Sequence, residues 1–286
     1  MATQSRRKVL KLAGLTAAIA SRPFGNAMGL GALSPAVRVP VSFDLGMASY
    51  TFRSFTLDQA IEMTKRLGLK KITLKDMHLP LTAADQEIKT ALEKIRSAGL
   101  ELSSCGVVYM TSEAEVNRAF AYAKAAELKM LVGVPQPPLL QLAEKKARET
   151  DIVLAIHNHG PTDQRYPSPE SAYKLIDKMD KRMGLCIDVG HTQRLGLDPS
   201  VEVERFFNRL YDVHMKDVSS ADANGTTVEC GRGVIDIPKL LKTLTRLKYP
   251  RTLHFEHEKD EKDPLPGVAE SIGYVHGVLA VLQGAP

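Results

Sequence analysis

From Phe43 onward the chain repeats one short phrase eight times, a strand-like run followed by an amphipathic stretch. The strand-like runs fall near 43–50, 71–75, 101–108, 129–134, 152–157, 184–188, 211–215 and 252–256. Between them apolar residues recur at helical spacing, as in Leu57, Ala60, Ile61, Thr64 and Leu67, or Ile88, Ala91, Leu92 and Ile95. Gly68 and Gly99 stand just past two of these stretches, where a helix ends on a C-terminal cap. Further helices are expected at about 112–127, 138–149, 168–180, 199–208, 238–247 and 267–281. Parallel strands need a crossover of this length between them. Eight such units in about 240 residues predict an α/β protein, a single closed (β/α)8 TIM barrel. A doubly wound open sheet is the alternative, but no G-x-G-x-x-G opens the first helix. No linker divides the repeat, so one barrel domain is expected over 41–286.

Residues 1–40 stand outside that pattern. Ser5-Arg6-Arg7-Lys8-Val9-Leu10-Lys11 is a basic, acid-free opening, followed by a weakly apolar run from Leu12 to Ala20 that ends small-x-small. This resembles a twin-arginine signal, S-R-R-x-F-L-K, with Val9 where Phe is usual. Residues 1–40 are therefore expected to be a disordered export signal and linker, cut after Ala20 or Ala27. The protein is then periplasmic or otherwise exported by the twin-arginine route. That route carries folded proteins and suits an enzyme that acquires a metal before export.

The formal net charge of +5 invites a nucleic-acid reading, but Arg6, Arg7, Lys8 and Lys11 account for four of those charges. What remains is near neutral, without the basic footprint of a nucleic-acid binder. No run of 18 uncharged apolar residues occurs, so no membrane span is expected. Cys105, Cys186 and Cys230 are widely spaced and odd in number, which argues against a disulfide framework and for small buried residues. A homo-oligomer is compatible with all of this.

The chemistry gathers in the second half of the repeat. Active sites of such barrels lie at the C-terminal ends of the strands, and residues two apart on a strand share a face. The fifth strand ends in His157-Asn158-His159, the sixth in Asp188 with His191 one turn on. On the seventh His214 and Lys216 share a face, and on the eighth His254, Glu256 and Glu258 do. One inward polar residue from each strand gives His157, Asp188, His214 and Glu256. Two imidazoles and two carboxylates around one point suit a single divalent ion such as Mn²⁺, Fe²⁺, Co²⁺, Ni²⁺ or Zn²⁺. Spacing alone does not choose between His157 and His159 as the strand-5 ligand.

The succession I-D-V-G-H, D-V-H-M-K-D, G-R-G-V-I-D and H-F-E resembles the xylose-isomerase-like sugar isomerase/epimerase superfamily of TIM barrels. The resemblance covers nearly the whole chain after residue 40. It implies one divalent metal bound by a Glu on strand 5, an Asp on strand 6, a His on strand 7 and a Glu on strand 8. The last three fall on Asp188, His214 and Glu256, and the substrate-contacting His after the strand-6 Asp falls on His191. The strand-5 Glu is replaced by His157. In the 3-epimerases that Glu and the strand-8 Glu form the acid/base pair, so the replacement spares the metal site more than it spares epimerisation. Strand 2 departs too, ending Leu74-Lys75-Asp76-Met77-His78 where relatives carry a Glu.

A divalent ion chelated by an α-hydroxy-ketone polarises the carbonyl and stabilises the enediolate formed by deprotonating its neighbour. Isomerisation, epimerisation and β-elimination share that step. Candidate bases are Glu256, Glu258, His159 and Lys216. Lys75, His78, His191 and Arg232, the last in the loop after strand 7, are candidate substrate contacts. The expected function is a divalent-metal-dependent sugar isomerase or epimerase acting on a keto-sugar or sugar derivative through an enediolate, with a small-molecule sugar as its substrate. The alternatives are an exported lyase or hydrolase of 3-keto-glycosides and a barrel that binds sugar without turnover.

Overall fold

A computed structural model of the protein describes residues 40–284. All eight strand-like runs form strands, and all pair in parallel. They are β1 (Asp44–Ala48), β2 (Lys71–Leu74), β3 (Glu101–Met110), β4 (Met130–Pro135), β5 (Val153–His157), β6 (Met183–Asp188), β7 (Leu210–Met215) and, after a short hairpin, β10 (Thr252–Phe255). Their order is β1-β10-β7-β6-β5-β4-β3-β2, with β2 pairing back onto β1 to close the barrel. The predicted (β/α)8 barrel is the observed fold. The segment 1–40, with the export signal expected there, falls, save for Pro40, outside the described residues.

The outer ring is α1 (Leu57–Arg66), α2 (Asp85–Ser97), α3 (Glu113–Ala125), α4 (Leu140–Thr150), α5 (Pro169–Ile176), α7 (Pro199–Arg205), α8 (Ile237–Arg246) and α9 (Leu265–Leu282). Local sequence sets the ends. Thr56 accepts from the Gln59 backbone N–H while the Gln59 side chain accepts from Thr56 N, a reciprocal cap contributing on the order of 1 kcal/mol. Gly68 and Gly99 follow α1 and α2 at φ of 74° and 76°. In α8 the stripe Ile237, Leu240, Leu241 and Leu244 is fully buried, each side chain contributing about 1.5–3 kcal/mol. Among the described residues α9 alone is long and apolar enough to cross a membrane, with a mean hydropathy of 1.4 over 18 residues. Here it is a ring helix, burying Val268, Ile272, Val275 and Leu279.

Two elements escaped the sequence pattern. A five-residue helix, α6 (Val189–Gln193), starts directly off β6 because Oδ1 of Asp188 accepts from His191 N at 2.7 Å. A small antiparallel hairpin, β8 (Asp217–Val218) with β9 (Thr227–Val228), folds over the end of β7. Asp217 pins the loop beyond it by accepting from Gly231, Gly233 and Ile235 N.

The barrel interior is polar where β7 meets β10. His254 Nδ1 lies 2.7 Å from Asp212 Oδ1, and its Nε2 lies 2.7 Å from Ser103 Oγ. Gly46 on β1 makes room for this ring: a Cβ there would stand 2.6 Å from His254 Cδ2. His254 thus closes the floor beneath the strand ends.

Candidate metal centre and substrate chamber

Strand alternation delivers His157 from β5, Asp188 from β6, His214 from β7 and Glu256 from just past β10 to one point. One ligand-type atom from each lies within 4.8 Å of the others, and all four residues are buried. His157 Nε2 is 3.2 Å from His214 Nδ1 and 3.5 Å from Asp188 Oδ2. His214 Nδ1 is 3.2 Å from Glu256 Oε2. Four donors at 2.0–2.2 Å from one tetrahedral ion stand about 3.4 Å apart, so these separations fit a first-row divalent cation. Asp188 Oδ2 is fully buried and faces two cation-type or ligand-type groups, the Lys216 ammonium at 3.0 Å and His157 Nε2 at 3.5 Å, without an aligned hydrogen bond to either. The residues present fit such an ion.

Lys216, two residues beyond His214, shares this space. Its Nζ is 3.0 Å from Asp188 Oδ2 and 2.9 Å from Glu256 Oε2, and it also pairs with Glu258. Burial alone would lower its pKa, but Asp188, Glu256 and Glu258 outweigh burial and hold it well above the ordinary lysine value. In the same way burial would raise the Asp188 carboxyl, and the Lys216 ammonium holds it below the usual range. Burial pushes His157 down to about 4. His214 is opposed by burial yet raised to about 9 by Glu256, Asp212 and Asp188. Behind it, Asp212 Oδ2 sits 3.8 Å from His214 Nε2, joining the cluster to the Asp212–His254–Ser103 chain.

Above the cluster opens a chamber of about 670 Å³. Glu256, Glu258, His191, His159 and Lys75, all named as candidates from the sequence, are among the residues that line it. His159 stands outside the four-residue cluster, beyond the end of β5. Its Nε2 meets the Tyr109 hydroxyl at 2.9 Å, and its Nδ1 lies 3.3 Å from Asp163 Oδ2. Burial, aided by His157, lowers it to about 3 and makes it a neutral partner.

Two expected substrate contacts lie elsewhere. His78 is buried beneath the first turn, its Nδ1 2.9 Å from Ser49 Oγ and its Nε2 facing the Phe52 and Phe55 carbonyls. It ties the β2 end to the turn after β1 and lines no part of the chamber. Arg232 is 64% exposed and pairs with Glu270 of α9, because the Asp217-pinned loop carries it outward. Lys216 is a third revision, since its ammonium is committed to three carboxylates.

Sequence reasoning missed Tyr109, Arg165 and Arg194, all on the chamber wall. Tyr109 escaped because β3 runs two residues further than its apolar pattern suggests. The two arginines stand on loop and helix end, where no periodicity marks them.

Residues 139–276 match the family model of the xylose isomerase-like TIM barrel. That second half of the barrel is similar to the family. The chain is 30% identical over 151 residues to the rhizopine catabolism protein MocC of Rhizobium meliloti, a match covering 48% of this chain. The match spans 46% of that relative's length, about half. Solved structures extend the likeness in fold to the rest of the barrel. An L-ribulose 3-epimerase superposes with a TM-score of 0.69 at 14% identity, over 84% of this chain and 96% of that one. The 3-keto-D-glucoside 4-epimerase of E. coli gives 0.67 at 14% identity, over 83% and 100%.

Proposed function

We propose that this barrel is a divalent-metal-dependent sugar isomerase or epimerase acting on a keto-sugar or sugar derivative through an enediolate. One juxtaposition supports the reading above all: four ligand-type atoms within 4.8 Å of one another below a chamber of about 670 Å³. Chambers of that size take small molecules. The epimerase names of its structural neighbours and the xylose isomerase-like family agree with it. We further propose that residues 1–40 direct twin-arginine export ahead of a barrel over 41–286.

In this reading His157, Asp188, His214 and Glu256 hold one ion, which when bound supplies Lewis-acid polarisation of a carbonyl. Glu258, 32% exposed at the chamber edge, takes the proton from the neighbouring carbon on its carboxylate and returns it to carbon of the enediolate to complete the isomerisation. Lys216 orients Glu256 and Glu258. Tyr109, hydrogen-bonded to neutral His159, holds or returns a proton at a substrate oxygen from the opposite wall.

His157 favours a second reading. Placed in the cluster, it leaves no carboxylate on β5 to partner Glu256. Elimination from a 3-keto-glycoside needs one base and one proton donor at the leaving oxygen, which Glu258 and Tyr109 can supply. A barrel that binds sugar without turnover is the third and least favoured.

The deciding experiment incubates metal-loaded protein with ketoses and 3-keto-glucosides in D₂O and follows them by NMR. Metal-dependent deuterium uptake beside the carbonyl is expected. Cleavage of the glycosidic bond would select the lyase, and absence of both with stoichiometric metal would refute turnover.

A further inference from the structure

Within the chamber wall, charge is distributed in a way the metal cluster does not require. Arg53, Arg96, Arg182, Arg205 and Arg246 each sit within 4.0 Å of a carboxylate. Arg165 and Arg194 line the chamber, and among the described residues no carboxylate lies that close to either. Nη1 of Arg165 and Nε of Arg194 are buried without a hydrogen-bond partner. Arg194 spends its other nitrogens on neutral groups, His191 Nδ1 at 3.4 Å and the Ala223 carbonyl at 3.0 Å. A buried guanidinium donor left unpaired costs free energy unless a ligand or water satisfies it.

The wall that carries them is built rather than loose. Asp163 Oδ1 accepts from Arg165 N at 2.6 Å and from Tyr166 N at 3.3 Å. Tyr166 is fully buried and donates to the Pro135 carbonyl at 2.7 Å. His159 N and Gly160 N close the loop onto the Tyr166 and Pro167 carbonyls. Arg194 is fixed by its place at the end of α6. With the histidines neutral, as metal coordination requires, the acids of the chamber and its floor (Asp163, Asp188, Asp212, Glu256, Glu258) face Lys75, Arg165, Arg194 and Lys216. A divalent cation added to the cluster leaves the chamber net positive.

We infer that Arg165 and Arg194 receive a carboxylate, so that the substrate is a sugar acid such as a uronate, keto-aldonate or related keto acid. The inference rests on the reading of the chamber as a sugar site. A planar guanidinium fork matches a carboxylate in two parallel hydrogen bonds. A phosphate cradle would use a helix N-terminus, and here the nearest one, on α6, already holds the Asp188 carboxylate.

Calorimetric titration with matched sugars tests it: D-fructose, D-fructuronate and D-fructose 6-phosphate, and the corresponding glucose and galactose sets. The acid of at least one set should bind about ten-fold tighter than its neutral partner, the value of one charge-assisted contact. In Arg165→Gln and Arg194→Gln that preference should collapse, and Arg165→Lys should keep part of it; thermal melts verify that each variant folds. Equal binding of acid and neutral sugar, tighter binding of the phosphate alone, binding of none, or a preference that survives both glutamine variants would overturn it. An arginine-dependent preference without deuterium exchange would uphold this inference while refuting the isomerase reading.

Discussion

Nζ of Lys216 lies 3.0 Å from Oδ2 of Asp188, so a fixed ammonium already stands against one of the four groups that would hold a metal ion. Lys216→Met should leave Asp188, Glu256 and Glu258 facing one another unshielded. Breaking a buried ion pair costs about 3–5 kcal/mol. The metal-free variant should therefore melt well below the parent in EDTA and regain most of the deficit when Mn²⁺ is added. Equal melting of the two proteins in EDTA would contradict the role given to the lysine.

His157 and His159 should separate cleanly. His157→Ala removes a nitrogen 3.2 Å from His214 and is expected to lose bound metal and turnover together. His159→Ala removes the partner of Tyr109 and the contact with Asp163 but none with the cluster carboxylates, and should retain metal while losing turnover, a phenotype that Tyr109→Phe should share. Elemental analysis of the purified variants distinguishes them, and metal lost from both would mean that both imidazoles coordinate.

Asp212→Asn alters no proposed ligand. It replaces by a neutral amide the carboxylate behind His214, 3.8 Å from Nε2 and not hydrogen-bonded to it, so the effect belongs at the lower end, about ten-fold, of the range that hydrogen-bonded partners set. A competitive chelator titration should show a loss of about that size in a protein that still folds. An unchanged dissociation constant would make Asp212 a purely structural partner of His254.

Arg232→Ala breaks only an exposed pair with Glu270. Stability should move by less than about 1 kcal/mol, and sugar binding should stay at the parental level. A substantial loss of binding would return this arginine to the chamber.

Arg6→Lys with Arg7→Lys tests the export proposal. Fractionated cells should hold the variant in the cytoplasm, and an undiminished periplasmic yield would exclude the twin-arginine route.

The fold was legible because a barrel repeats one signal eight times, so errors at single boundaries do not accumulate. The cluster was legible for a related reason. Period-two alternation on β7 separates Asp212, His214 and Lys216 from their neighbours without any knowledge of tertiary structure. What alternation does not contain is height along the barrel. His254 shares a face with Glu256, yet lies one layer lower, bonded to Asp212 on the floor. Loop geometry was equally hidden. Arg232 and Arg165 both follow strand ends, and only the bonds made by Asp217 and Asp163 decide that one turns outward and the other lines the chamber.

Asp188 divides its two oxygens between tasks: Oδ1 starts α6, and Oδ2 faces the cluster. His191 and Arg194 reach the chamber wall through the helix that this one carboxylate begins. The ion-holding and ligand-recognising ends are therefore fastened by the same side chain. A change at position 188 would unseat both at once, and loss of sugar affinity in such a variant would report a displaced helix as much as a missing ligand.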